Sequence, residues 1–159
     1  MVRLAKPIVS LLVPVAAWWV AREERKILGL GTPLSEAQLA DAARMGVAHP
    51  EKIRVLHVAR LPLFNGPLAR ALARVVPGIS PDAVAVTLGY GIYVRDRFAG
   101  DRALLAHECV HTGQYERHGG IRGFLRAYFT ECLAVGYPNG PLEREANERA
   151  ATLCAGGGK

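Results

Sequence analysis

The pattern of apolar and polar positions divides the chain into an apolar N-terminal segment and a longer stretch of alternating strand and helix patterns. Apolar residues dominate positions 8–21, which predicts a helix within an N-terminal segment, residues 1–28, ahead of a single domain at 29–159. The run contains Pro14 and is short for a bilayer span, which needs about 20 residues. A helix packed in the core and a helix lying on a membrane surface, with its tryptophans at the interface, both fit this pattern.

The domain begins with a helical pattern and continues with strand patterns. Ser35, with Gln38 three residues later, predicts a capping box at the start of a helix. The β-branched run 53–58 predicts a strand, and an apolar repeat at 68–75 predicts another helix. The stretch 83–95 has strand signals on both sides of its central glycines, which predicts either a hairpin or one kinked strand.

Three more helices are predicted towards the C-terminus. Asp101 suits the N-cap of the first, and Gly119 and Gly120 end it. The second covers residues 121–135, and the third begins at Pro141, a residue type favoured at the first helical position. The first of the three is apolar nearly all round, so it should be buried. The elements together predict an α+β fold in which a small sheet packs on this buried helix.

The buried helix contains His107-Glu108-Cys109-Val110-His111, which has the form His-Glu-x-x-His. Two histidines four residues apart lie one turn apart on the same helix face, so both imidazoles can bind one metal ion. Glu108 lies at the rim of that face, where it can reach a metal-bound water without being a ligand. The simpler alternative is a core helix whose histidines bond only to the backbone.

A catalytic zinc ion usually has three protein ligands, so a third is expected on a later element. On the helix that begins at Pro141, Glu143 lies about 50° from the centre of the apolar stripe, whereas Glu145 and Glu148 point further away. We expect Glu143 to be the third ligand and keep Glu131, on the preceding helix, as the alternative. The simpler alternative here is a charged surface helix whose glutamates pair with neighbouring arginines.

The two motifs resemble those of the gluzincin metallopeptidases, in which His-Glu-x-x-His on one helix is followed by Glu-x-x-x-Asp on the next. The segment 104–115 is also similar to small bacterial zincin-like domains with a Leu-x-x-His-Glu-x-x-His-x-x-Gln-Tyr core. The resemblance covers residues 83–154 and implies a minimal zincin-like fold with one Zn²⁺ per chain. It implies that the metal ligands are His107, His111 and Glu143, with Glu108 as the catalytic base.

One position departs from the gluzincin pattern, because Asn147 stands where the family has aspartate. In the family that aspartate accepts a hydrogen bond from a ligand histidine and raises its basicity. Asn147 can accept the same bond through its amide oxygen but brings no charge. We therefore expect Asn147 to support a ligand histidine less strongly than an aspartate would.

The resemblance implies a zinc-dependent peptidase that hydrolyses peptide bonds in a peptide or protein substrate. The side chains in the right part of the chain to stabilise the oxyanion are Tyr115, His118, Tyr128 and Tyr137. Zincins commonly bind substrate peptides along an edge strand, and residues 91–95 are the strand expected in that role. The alternative function is a zincin-fold binding or assembly module with a structural or vestigial zinc site.

Composition bears on partners and compartment. The chain has 159 residues and a net charge of +6, without a basic-aromatic stripe, so no nucleic-acid partner is expected. Its three cysteines show no Cys-x-x-Cys spacing, which favours a reducing compartment, the cytoplasm. Association with a membrane surface through residues 8–21 stays open. Besides a peptidase and a binding module, the third hypothesis for the function is a membrane-surface or nucleic-acid adaptor whose histidines are incidental.

Overall fold

The computed structural model describes residues 2–62 and 83–155 of the chain. The helix predicted at 68–75 therefore lies outside the described residues. The helices are α1 (Val2–Leu30), α2 (Glu36–Arg44), α3 (Arg102–Arg117), α4 (Ile121–Val135) and α5 (Pro141–Ala155). The strands are β1 (Thr32–Pro33), β2 (Arg54–Val58), β3 (Ala85–Leu88) and β4 (Gly91–Arg95). This arrangement confirms the α+β class.

Local sequence signals mark the beginnings of two helices. The Ser35 side chain accepts a hydrogen bond from the Gln38 backbone N–H, and the Gln38 side chain accepts one from the Ser35 N–H, so the capping box starts α2. The Asp101 side chain accepts a bond from the Leu104 N–H at the start of α3. Both predicted caps are confirmed.

The four strands form one mixed sheet in the order β1-β2-β4-β3. β3 and β4 are antiparallel and β2 is parallel to β4. Leu88 pairs with Gly91, so Gly89 and Tyr90 form a two-residue turn, and Gly89 has the positive φ of 69° that such a turn requires. Residues 83–95 therefore form the hairpin, one of the two predicted arrangements.

The expectation that residues 91–95 form the substrate-binding edge strand is wrong. β4 is hydrogen-bonded on both sides, to β2 and to β3, so its backbone groups are already paired. The parallel pairing of β2 with β4 joins distant parts of the chain, and no local sequence pattern predicts it. Within the described residues, β3 is the edge on this side of the sheet.

Helices cover both faces of the sheet. On one face, Tyr93 packs with Leu88 and with residues of α1 and α4. On the other face, Ile92 and Val94 pack with residues of α2, α3 and α5. The alternation along β4 follows from the two-residue period of a strand. α3, which carries the histidines, is thereby held between the sheet and α5.

α1 packs its inner face into the core. Of the two arrangements predicted for this segment, this is the helix packed in the core. Its buried positions recur with helical spacing: Val9, Val13, Ala16, Val20 and Ile27. Leu11 and Trp18, on the outer face, are exposed. Among the described residues, no helix has the length and apolar character needed to cross a bilayer.

Candidate metal centre

The structure brings His107, His111 and Glu143 together at the contact between α3 and α5. The two Nε2 atoms of the histidines are 3.1 Å apart. The Glu143 Oε2 lies 3.6 Å from His107 Nε2, and Oε1 lies 3.6 Å from His111 Nε2. The carboxylate therefore faces both imidazoles, and the three side chains point their donor atoms at one small space.

This geometry suits a small divalent cation. Ligand atoms about 2.0–2.1 Å from a tetrahedral zinc ion are about 3.4 Å apart, close to the separations found here. Burial also favours a bound cation, because His111 and Glu143 are buried, His107 is only partly exposed, and buried polar groups need a partner. Two ring nitrogens facing each other can share one proton, whereas a cation would satisfy both nitrogens and the carboxylate together. The donor set fits a metal ion.

The charges of the metal-free centre are strongly coupled. Burial by itself would raise the pKa of Glu143, but the two imidazoles beside it lower that pKa far below its usual range. Burial would lower the pKa of His111, yet Glu143 and Glu108 together leave it raised. The centre is thus an ionised carboxylate beside nitrogen donors, an arrangement that attracts a cation.

Gln114 orients His111, and sequence reasoning missed it. Its Oε1 is 2.8 Å from His111 Nδ1, one turn along α3. Its amide nitrogen donates to the Leu142 carbonyl at 2.9 Å and to Glu145 at 3.0 Å. Because the amide nitrogen has two acceptors, the oxygen must face His111 and accept a bond from Nδ1–H. His111 Nε2 is then left with its lone pair towards the centre. The spacing of three residues was the available signal.

Arg117 fixes the far end of this chain of bonds. Its Nη2 lies 2.7 and 2.8 Å from the two carboxylate oxygens of Glu145. Asn147, which was expected to support a ligand histidine, is exposed on α5. At His111 the supporting oxygen comes from Gln114 instead, on the histidine helix itself.

Tyr128 contacts the carboxylate of Glu143, the third candidate ligand, from the side of α4. Its hydroxyl donates to Glu143 Oε1 at 3.0 Å. Burial, followed by the charge of Glu143, raises the pKa of Tyr128, so the phenol stays protonated and remains a donor. Each oxygen of Glu143 faces an imidazole, and one of them also accepts this bond.

Glu131, the alternative third ligand, has a different place. Its Oε2 accepts a hydrogen bond from the Leu142 N–H at 2.9 Å, in the first turn of α5. The first backbone N–H groups of a helix lack partners within it, so this carboxylate caps the helix that carries Glu143. The group of donors that could hold a metal contains Glu143 and not Glu131.

Glu108, the expected base, is buried and held by the sheet. The Thr87 hydroxyl of β3 lies 2.6 Å from Glu108 Oε2 and 3.0 Å from the Glu108 carbonyl oxygen. Glu108 lines the same cavity as the three candidate ligands, with a volume of about 160 Å³. The carboxylate therefore adjoins the centre without belonging to the donor group.

The aromatic residues considered for oxyanion stabilisation fall in different places. Tyr137 is exposed and lines the cavity. Tyr115 is buried and its hydroxyl donates to the Thr87 carbonyl at 3.4 Å. His118 is exposed at the C-terminal end of α3, seven residues beyond His111 and about 10 Å further along the helix axis. The fourth candidate, Tyr128, donates its hydroxyl to Glu143, so Tyr137 is the one of the four whose position fits the role.

Comparisons of the chain with protein-family models, with curated proteins and with solved structures found no match. The resemblance to gluzincins therefore stays a prediction from the motifs. What the centre does chemically has to be judged from its own residues.

Proposed function

We propose that this protein is a zinc-dependent peptidase whose metal is held by His107, His111 and Glu143. The observation that carries the proposal is the convergence of these three donors in a cavity that also contains Glu108. Two histidines and a carboxylate are a donor set typical of catalytic zinc. The presence of a separate, buried carboxylate beside the donors supports acid–base chemistry at the same place.

A bound zinc ion would polarise the scissile carbonyl and make the attacking water more acidic. Glu108 takes the proton from that water and later delivers it to the leaving amine. Thr87, which lines the same cavity, holds the Glu108 carboxylate in place through its hydroxyl. Tyr137 can donate a hydrogen bond to the oxyanion from the cavity wall.

Catalysis is favoured over the alternative of a binding module with a structural zinc. Structural zinc sites are usually closed by four protein ligands, whereas catalytic sites keep one position open. Among the described residues, three donors gather here and an adjoining cavity reaches them. A fourth coordination position left to water, with a carboxylate beside it, would serve catalysis and would have no use in a purely structural site.

The cavity and the sheet suggest how a peptide would bind. Apolar and aromatic side chains form much of the wall, including Trp19, Leu125 and Phe129. Such a wall favours a large apolar side chain next to the cleaved bond. β3 carries Thr87 and forms the sheet edge on this side within the described residues, so we expect the substrate backbone to run alongside it.

Metal analysis tests the centre itself. Wild-type protein is expected to bind about one equivalent of zinc, and Glu143→Ala should lose most of it. Glu131→Ala should keep the metal, because that carboxylate caps α5 and does not join the donors. Glu148→Ala, at an exposed position of the same helix as Glu143, is the matched control. Equal zinc content in wild type and Glu143→Ala would exclude the assigned third ligand.

Glu108→Gln separates a peptidase from a binding module. The variant should retain zinc but lose cleavage of a mixed peptide library followed by mass spectrometry, by a factor of about 100 or more. Glu148→Gln should cleave as wild type does. A zinc-loaded wild type that cleaves no peptide in the library, or a Glu108→Gln variant that cleaves normally, would rule out the proposed chemistry.

A further inference from the structure

The outer face of α1 presents large apolar side chains to solvent. Leu11 is 76% exposed, Trp18 60% and Val15 41%. Spacings of four and three residues place them on one stripe of the helix, opposite the buried positions. Pro7 and Pro14, which lie on the same side of the helix as these residues, are exposed as well. Contiguous exposed apolar side chains of this kind usually mark an interaction site.

Basic residues continue the same stripe towards the C-terminal end of α1. Arg22 follows Trp18 by four residues and Arg25 follows Arg22 by three, and both are exposed. Neither acidic residue of α1 lies on the stripe. Glu23 is buried and accepts a bond from the Tyr93 hydroxyl at 2.9 Å, and Glu24, in the groove that Trp18 also lines, accepts one from the Tyr90 N–H at 2.9 Å. The stripe therefore runs from apolar to basic without a negative charge.

We propose that this outer stripe, defined by Leu11, Val15, Trp18, Arg22 and Arg25, binds the surface of a membrane containing anionic lipids. Apolar side chains can enter the boundary between headgroups and acyl chains, tryptophan prefers that boundary, and arginines attract lipid phosphates. The inner face of α1 is buried in the core, so the helix can bind without leaving the fold. The net charge of +6 favours the same partner.

Charge complementarity favours a membrane over a second copy of the chain. If two stripes paired in antiparallel fashion about Trp18, Arg25 of one would lie against Leu11 of the other. That contact would bury a guanidinium group without a carboxylate, which is costly. The proposal does not depend on the proposed function, because no metal donor belongs to the stripe.

Intrinsic fluorescence reports on this helix alone, because the two tryptophans of the chain are Trp18 and Trp19. The full chain is mixed with vesicles of equal parts phosphatidylcholine and phosphatidylserine, or of phosphatidylcholine alone. We expect a blue shift and co-sedimentation with the anionic vesicles, weakened by added salt. Absence of binding to anionic vesicles at low salt would overturn the proposal.

Variants locate the surface. Leu11→Gln/Trp18→Gln should abolish co-sedimentation. Arg22→Gln/Arg25→Gln should lower the affinity for the anionic vesicles about 30-fold, because each basic side chain contributes a factor of about five. Arg126→Gln/Arg144→Gln removes two exposed arginines from other helices and is the charge-matched control, expected to bind nearly as wild type. His107→Ala should also bind as wild type.

Two results would contradict the assignment of this stripe. Equal weakening in both arginine pairs would mean that the attraction is spread over the whole protein. A dimer in size-exclusion chromatography that Leu11→Gln/Trp18→Gln converts to a monomer would assign the stripe to self-association. Because Leu11, Trp18 and the four arginines are exposed, thermal unfolding of the variants at these positions should match wild type.

Discussion

Gln114 offers the sharpest test of how the centre is built, because one buried amide serves three partners. Gln114→Met keeps the size and burial of the side chain but removes its acceptor for His111 and its donors for Leu142 and Glu145. His111 then loses the bond that selects its tautomer. Glu145 keeps its two contacts with Arg117, so it loses least.

The expected effects follow from these partners. A buried group that loses its hydrogen bond costs about 1–3 kcal/mol, and the His111 Nδ1–H is such a group. The Leu142 carbonyl loses one bond but keeps its helical partner within α5. The free energy of unfolding of the metal-free protein should thus fall by about 1–3 kcal/mol. Metal affinity should fall about 10–100-fold, as is usual when the partner of a ligand histidine is removed.

Gln114→Glu separates the two effects. A glutamate still offers an oxygen to His111 but cannot donate to Leu142, and it places a second carboxylate beside Glu145. This variant should lose stability yet bind zinc at least as tightly as wild type. Unfolding is measured with denaturant in the presence of a chelator, and zinc affinity by competition with a chromogenic chelator. If Gln114→Met, shown to be folded, binds zinc as wild type does, the orienting role is refuted.

Three further predictions concern the rest of the centre. Thr87→Val should leave zinc content unchanged and slow peptide cleavage about 10-fold, since the Glu108 carboxylate loses its donor; an unchanged kcat contradicts this. Tyr128→Phe should weaken zinc binding about 10-fold through loss of the bond to Glu143, as competition titration would measure. Because the pKa of His111 is raised without metal, zinc that binds at a pH below that pKa must displace a proton, so affinity should fall as pH drops through that pKa. Calorimetry in buffers of different ionisation enthalpy, repeated at decreasing pH, should detect increasing proton release, and binding without release at the lowest pH would count against it.

Much of the local structure could be predicted from the sequence, because its causes lie within one or two helical turns. The capping box at Ser35 and the cap at Asp101 are local bonds of this kind. The four-residue spacing of His107 and His111 fixes their common face wherever the helix packs. The choice of Glu143 over its neighbours on α5 likewise followed from the apolar stripe of a single helix.

The interactions that complete the centre depend on contacts between elements, which the sequence does not specify. Thr87 meets Glu108 only because the edge strand packs on α3. Glu131 looked like a ligand because it is an acid near an apolar stripe, but the start of α5 lies against it. The pairing of β4 on both sides depends on a parallel contact with β2, which no periodicity in residues 91–95 reveals.

The division of the donors between two helices has a consequence for folding. His107 and His111 belong to α3, while Glu143 enters only when α5 has docked beside it. A cation that needs all three donors binds the assembled form and not its precursors. Zinc present at about a thousand times its dissociation constant would then add about 4 kcal/mol to the stability of that form. Metal binding would therefore stabilise the docking of α5 on α3, and removal of the metal would loosen α5 first.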